Sequence, residues 1–143
     1  MKREQKYPNT RTFFYYNANP KNRITGDCTF RAIALAMDKP WEDVVMEMAR
    51  MSCDTGYAIN DKKGIERYLS MNGWVKHSQP RKLDNTKYTG KEFCKHLDKA
   101  NGNVIATIGG NHVVCIKWTI TGYKVHDIWN STDGCIGNYW TKG

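Results

Sequence analysis

"NRITGDCTFRAIALAM", residues 22–37, decides how this chain is read. It begins as loop: Asn22 and Gly26 favour turns, and "NANPKNRITGD" as a whole has the composition of a connection. From Cys28 onward nearly every position is apolar, and Ala32, Ala34 and Ala36 are the strongest of helix formers. A helix that is apolar almost all round is a central, buried one. Cys28 therefore opens that helix, where unpaired backbone N–H groups and the macrodipole favour negative charge and hence a thiolate. The competing reading is a cysteine used as a small core hydrophobe, because free cysteine is among the most buried residue types.

The segments on either side build an α+β domain. Residues 1–12, with Lys2, Arg3, Lys6 and Arg11, read as a mobile basic N-terminal arm, and residues 13–143 as one domain. "TFFYY", residues 12–16, is a short strand or a docking segment. A second helix follows the central one, with Pro40 in its first position and Trp41, Val44, Val45 and Met48 on one face. A third spans "NDKKGIERYLSMNG", with Asn60 as N-cap and Gly73 just past its end. "WVKHSQPRKLDN" is a short strand or extended loop. The fourth helix, "TGKEFCKHLDKANG", carries a capping box from Thr89 to Glu92 and is closed by Gly102. The period then changes to that of strands: "NVIATI", "HVVCIKW", "YKVHDIW" and "IGNYW" are rich in β-branched and aromatic residues. "TITG" reads as a hairpin connection and "GGN", residues 109–111, as a tight turn delivering His112 to the start of a strand. Helices followed by an antiparallel meander make an α+β domain, with the Cys-bearing helix packed on a C-terminal antiparallel sheet.

Composition narrows the function classes. The chain has 143 residues and a net charge of +8, but its basic residues are scattered rather than gathered in a stripe interleaved with aromatics, so nucleic acid is a secondary expectation as partner. The five cysteines are odd in number and form no CxxC pair, which disfavours a disulfide framework and a zinc knuckle. No segment approaches the ~20 apolar residues of a membrane span, and the N-terminus lacks the apolar core of a signal peptide. These features point to reduced thiols, a cytoplasmic location, no membrane, no cofactor and no metal. Cys53, Cys94 and Cys115 read as core residues.

A nucleophilic Cys28 needs a base and a group that orients the base. Of the four histidines, His77 falls in a polar loop, His96 on a solvent face beside lysines, and His126 inside a strand. His112 follows Gly-Gly-Asn and opens a strand, a position that projects a side chain into a cleft. Asp127 closes the next strand, fifteen residues on. Antiparallel pairing across a short turn brings the start of one strand to the end of the other, so Asp127 is the expected orienter, with Asn130 and Asp133 as alternatives. The Cys28 N–H is one expected oxyanion donor, and an asparagine of the preceding loop is the second: Asn22 first, with Asn19 and Asn17 still open.

A Cys opening the central helix, a His on a later strand and an Asp fifteen residues on resemble the layout of papain-like (C39-like) cysteine peptidases, in which a Gln commonly stands six residues before the nucleophile. Here that position holds Asn22, with the same amide on a shorter stem. "NPKNRITGDCTFRAIA" and "HVVCIK … YKVHDIWNSTDGCIGNYW" resemble small members from bacteriophages and their bacterial hosts, a likeness running from about Asn17 to Trp140. "GDCTFRAIA" and "HVV" are also similar to the Cys and His motifs of OTU-type peptidases, which carry an Asp where this chain has Thr25. The resemblance implies a monomeric, phage-encoded thiol hydrolase acting on a protein or peptide in the host cytoplasm through Cys28, His112 and Asp127. The alternative is an inactive peptidase-fold protein that binds a host protein or nucleic acid through its basic surface.

Overall fold

A computed structural model describes residues 1–143. After a short helix α1 (Arg3–Lys6) and strand β1 (Phe13–Tyr15) come three helices, α2 (Cys28–Met37), α3 (Trp41–Thr55) and α4 (Lys62–Met71). Strand β2 (Trp74–His77) and helix α5 (Gly90–His96) precede β3 (Val104–Ile108), β4 (His112–Thr119), β5 (Gly122–Asp127) and β6 (Ile136–Lys142). The six strands form one sheet in the order β1-β5-β4-β3-β6-β2. No helix is long and apolar enough to cross a membrane.

The sheet carries a core on each face, which follows from period-two alternation in its central strand. Val113 and Cys115 of β4 face α2, α3 and α4, where they join Ile33, Val44, Met48, Tyr68 and Leu69. Val114 and Ile116 face the other way, against Phe93 and Cys94 of α5 together with Tyr123 and Val125 of β5. The buried central helix is present as expected, ended by Asp38 in a left-handed conformation (φ 54°) before Pro40.

The sheet differs from the expected C-terminal antiparallel one. It is mixed, because β1 pairs parallel to β5 with Phe13 opposite Val125 and Tyr15 opposite Asp127. It also takes β1 and β2 from the N-terminal half, so it is not confined to the C-terminal segment. Local patterning cannot set this: a strand that returns to its partner after more than a hundred residues is free to pair in either sense. Three smaller differences concern helix ends. The N-cap of α3 is Pro40 itself, one residue earlier than its expected role. Asp61, not Asn60, caps α4, accepting from the Lys63 N–H at 3.2 Å. The fourth helix stops at His96, because Leu97 turns extended to bury its side chain and Asp98 starts a separate short 3-10 turn, Lys99–Asn101.

Residues 1–12 contact the end of β5. Arg3 Nε donates to Ile128 O at 2.7 Å, and Lys124 Nζ to Thr10 O at 2.6 Å. Asn9 also accepts from the Tyr15 N–H of β1 at 2.7 Å.

Gly64 is an interior helical glycine, normally unfavourable relative to alanine. It is required here by close approach: a Cβ at this position would lie 2.2 Å from the carbonyl oxygen of Ala58. Gly64→Ala is therefore expected to destabilise the fold by about 1–3 kcal/mol despite the better helix propensity of alanine. Urea unfolding checks this, as a lower midpoint at unchanged slope.

Candidate active site

The turn Gly109–Asn111 delivers His112 to the first position of β4, and the β4–β5 hairpin sets the rest. Antiparallel pairing from Thr119↔Gly122 to Cys115↔His126 leaves Asp127, the last residue of β5, near the start of β4. Asp127 Oδ2 lies 2.5 Å from His112 Nε2. Since a carboxylate only accepts, Nε2–H is the donor and Nδ1 is left for another partner. Cys28, the first residue of α2, lies close enough to the ring for its thiol and the imidazole to shift each other's titration. The structure thus brings together Cys28, His112 and Asp127 from three separate elements.

Each titration is a balance of opposed effects. Burial by itself would raise the Cys28 thiol. The His112 ring, the Val113 N–H and the Arg31 charge outweigh it, so the thiol lies below its ordinary value. Burial by itself would likewise lower His112, but its hydrogen bond to Asp127, its interaction with Cys28 and their charges lift it to about 9. A lowered thiol beside a raised imidazole is the condition for a thiolate–imidazolium pair. The other buried thiols behave oppositely: burial pushes Cys94 and Cys115 up to about 12. Cys53, expected in the core, is exposed, because its position on α3 faces away from the packed side formed by Val44, Met48 and Met51.

Arg31 completes the site; in the sequence it stands among apolar residues and reads as the one charged position of a buried helix. It lies one turn after Cys28 and is only 6 % exposed. Its Nη1 donates to Asp127 Oδ1 at 2.6 Å and its Nε to Asp27 Oδ1 at 2.8 Å. Asp127 also accepts from the Ile128 N–H at 2.7 Å, so its two oxygens are held by Arg31, Ile128 and His112. Asp27 does not cap α2 with its side chain, as the loop-to-helix reading would have it. Its second oxygen accepts instead from Asn19 Nδ2 and Trp41 Nε1, both at 3.0 Å. The first-turn N–H groups of α2, that of Cys28 among them, thereby remain without a side-chain acceptor.

The loop asparagines separate by their hydrogen bonds. Asn19 donates to Asp27, and Asn17 donates to Asn22 Oδ1 at 3.2 Å and to Arg23 O at 3.1 Å. Asn22 is exposed, sits at φ 54° and engages its side-chain oxygen only, which leaves its amide N–H groups free. The alternative orienters are committed elsewhere. Asn130 accepts from Thr132, and Asp133 pairs with Lys91 at 2.8 Å. So are the other histidines: His77 contacts Thr141 Oγ1 at 2.8 Å and stacks on Tyr139, His96 is exposed beside Tyr88, and His126 bonds Lys124 O.

Two further features adjoin the triad. Trp129 covers His112, with ring centroids 4.9 Å apart, while Trp74 and Trp140 are buried. Val113, whose N–H acts on the Cys28 thiol, also lines the largest cleft of the molecule, about 660 Å³, between α4 and the β3–β4 turn. Comparison with protein-family models, curated proteins and solved structures found no match.

Removing Arg31 would strand two buried carboxylates. Arg31→Met is expected to cost about 3–5 kcal/mol of stability, read by denaturant unfolding. Arg31→Lys keeps a charge but not the planar fork that spans both aspartates. It is expected to fold and to move the pH profile of Cys28 alkylation upward, which loss of stability alone would not do.

Proposed function

We propose that this protein is a cysteine peptidase or amidohydrolase with a papain-like layout, acting on a peptide, isopeptide or side-chain amide. The observation that carries the reading is His112, held by Asp127 through Nε2 and acting on the Cys28 thiol at the start of α2. The lowered thiol and the raised imidazole support it, because an ordinary core cysteine shifts the other way, as Cys115 does.

In this mechanism the Cys28 thiol transfers its proton to His112 Nδ1, and the thiolate attacks the acyl carbon. The S–C bond forms as the carbonyl electron pair moves onto oxygen. The backbone N–H of Cys28 and the free amide of Asn22 are the donors assigned to that oxyanion. Collapse breaks the C–N bond, and the leaving amine takes the proton from His112. Water then attacks the thioester, gives its proton to His112, and releases the carboxylic acid and Cys28. Asp127 keeps the imidazole in one tautomer throughout and stabilises its charge.

The active ionic form requires Cys28 deprotonated and His112 protonated. Amide hydrolysis is therefore expected to rise with pH through the lowered Cys28 titration and to fall as pH passes about 9, where His112 loses its proton. Alkylation by iodoacetamide needs only the thiolate and is expected to rise without the high-pH fall. Followed site by site with mass spectrometry at neutral pH, Cys28 should react faster than exposed Cys53 and Cys135, and His112→Ala should remove that advantage. A Cys28 as inert as Cys115 until the protein unfolds overturns the proposal.

A further inference from the structure

We infer that the cleft beside the thiol is a subsite for an acidic polypeptide, and that the acyl donor is an extended chain carrying Asp or Glu side chains; this rests on the hydrolase reading of Cys28. The cleft adjoins His112 through both of its chain neighbours, Asn111 and Val113, which form part of the cleft wall, and the Val113 backbone N–H also acts to lower the Cys28 thiol. Its chemistry is one-sided. Lys62 and Lys87 both line it, and no acidic residue does.

The carboxylates nearest these lysines in sequence, Asp61 and Asp84, accept from the Lys63 N–H and from Thr86, and the next nearest are held by other lysines. Glu66, one turn after Lys62, holds Lys76 at 2.6 Å, and Glu92 holds Lys82. Lys62 and Lys87 are both exposed, so their ammonium groups remain available to a ligand.

The placement of Lys62 is informative because it does not serve the helix. It is the first residue of α4, where the positive end of the macrodipole disfavours a cation. A local rule broken without a structural gain is a mark of a functional position. Between the two cations the cleft offers the amides of Asn60 and Asn111, suited to the N–H and C=O groups of an extended backbone, and the apolar surfaces of Ile65 and Trp140. Phosphates would satisfy the lysines equally well. A polypeptide is favoured because the cleft wall includes Asn111 and Val113, the residues on either side of His112, and a Cys28 thiolate is suited to an amide carbonyl, which nucleic acid does not supply.

The test measures fluorescence anisotropy on Cys28→Ser protein, so that binding is read without turnover. The probes are a labelled peptide of alternating glutamate and alanine, its glutamine counterpart, and a short labelled oligothymidylate. The glutamate peptide is expected to bind more tightly than the glutamine peptide and the oligonucleotide. K62Q/K87Q is expected to weaken it about tenfold, in keeping with the loss of two partly screened ion pairs. K95Q/K99Q, which removes the same charge outside the cleft, should leave it within about twofold. In the wild-type protein the glutamate peptide should also slow alkylation of Cys28.

Equal binding of glutamate and glutamine peptides, indifference to K62Q/K87Q, or tighter binding of the oligonucleotide overturns the inference. Peptide binding that leaves Cys28 alkylation unchanged overturns it as well. An unreactive Cys28 overturns the hydrolase reading alone, since binding to Cys28→Ser does not depend on it.

Discussion

The buried bridge from Asp27 through Arg31 to Asp127 is the interaction on which the rest of the site depends. It joins the N-terminus of α2 to the C-terminal end of β5 through Arg31 and Asp127, which are 96 residues apart in the chain. The guanidinium sets their distance and orientation because it is planar and donates in a fixed fork. One end of the bridge lies one residue before Cys28. The other end is the carboxylate that holds His112 at 2.5 Å. Thiol and imidazole are thus positioned by the same side chain, which sits a single helical turn from Cys28.

Such a bridge is costly to bury, and packed apolar residues could replace it with equal or greater stability. It persists with all four carboxylate oxygens bonded: Asp27 also binds Asn19 and Trp41, and Asp127 also binds Ile128 and His112. The gain lies in specificity of position. An apolar contact between α2 and β5 would allow small slides. Hydrogen bonds of 2.6 and 2.8 Å between charged groups do not, and a reacting pair tolerates little displacement. The sheet supports the same end: β1 adds a parallel strand beside β5 and ends with Tyr15 opposite Asp127.

Residues whose role follows from local order were legible. Cys28 could be placed because alanines and branched apolar residues announce a buried helix immediately after a loop. His112 and Asp127 could be paired because a short hairpin between two β-rich runs imposes their proximity. Arg31 was not legible, since a lone arginine in an apolar helix has no local signature of its partners, and Asp127 is remote in sequence. Nor was the role of the Val113 N–H, because backbone donors leave no trace in residue type. The exposed position of Cys53 was misjudged for a related reason: amphipathic spacing identified one packed face of α3 without showing how far around the helix the core extends.

The sequence by itself determined the helices from Cys28 onward and the run of C-terminal strands, the buried character of the central helix, and the order Cys, His, Asp along the chain, while it left the segments that become β1 and β2 open. Only the tertiary structure decided that β1 joins the sheet in parallel, that Arg31 spans two aspartates, and that one asparagine of three keeps its amide free. It also decided that two lysines from separate segments share a cleft with the residue beside His112. These are contacts between distant segments, set by how preformed elements pack. No local preference encodes them, because propensity and patterning act over a few residues while these partners are far apart in the chain.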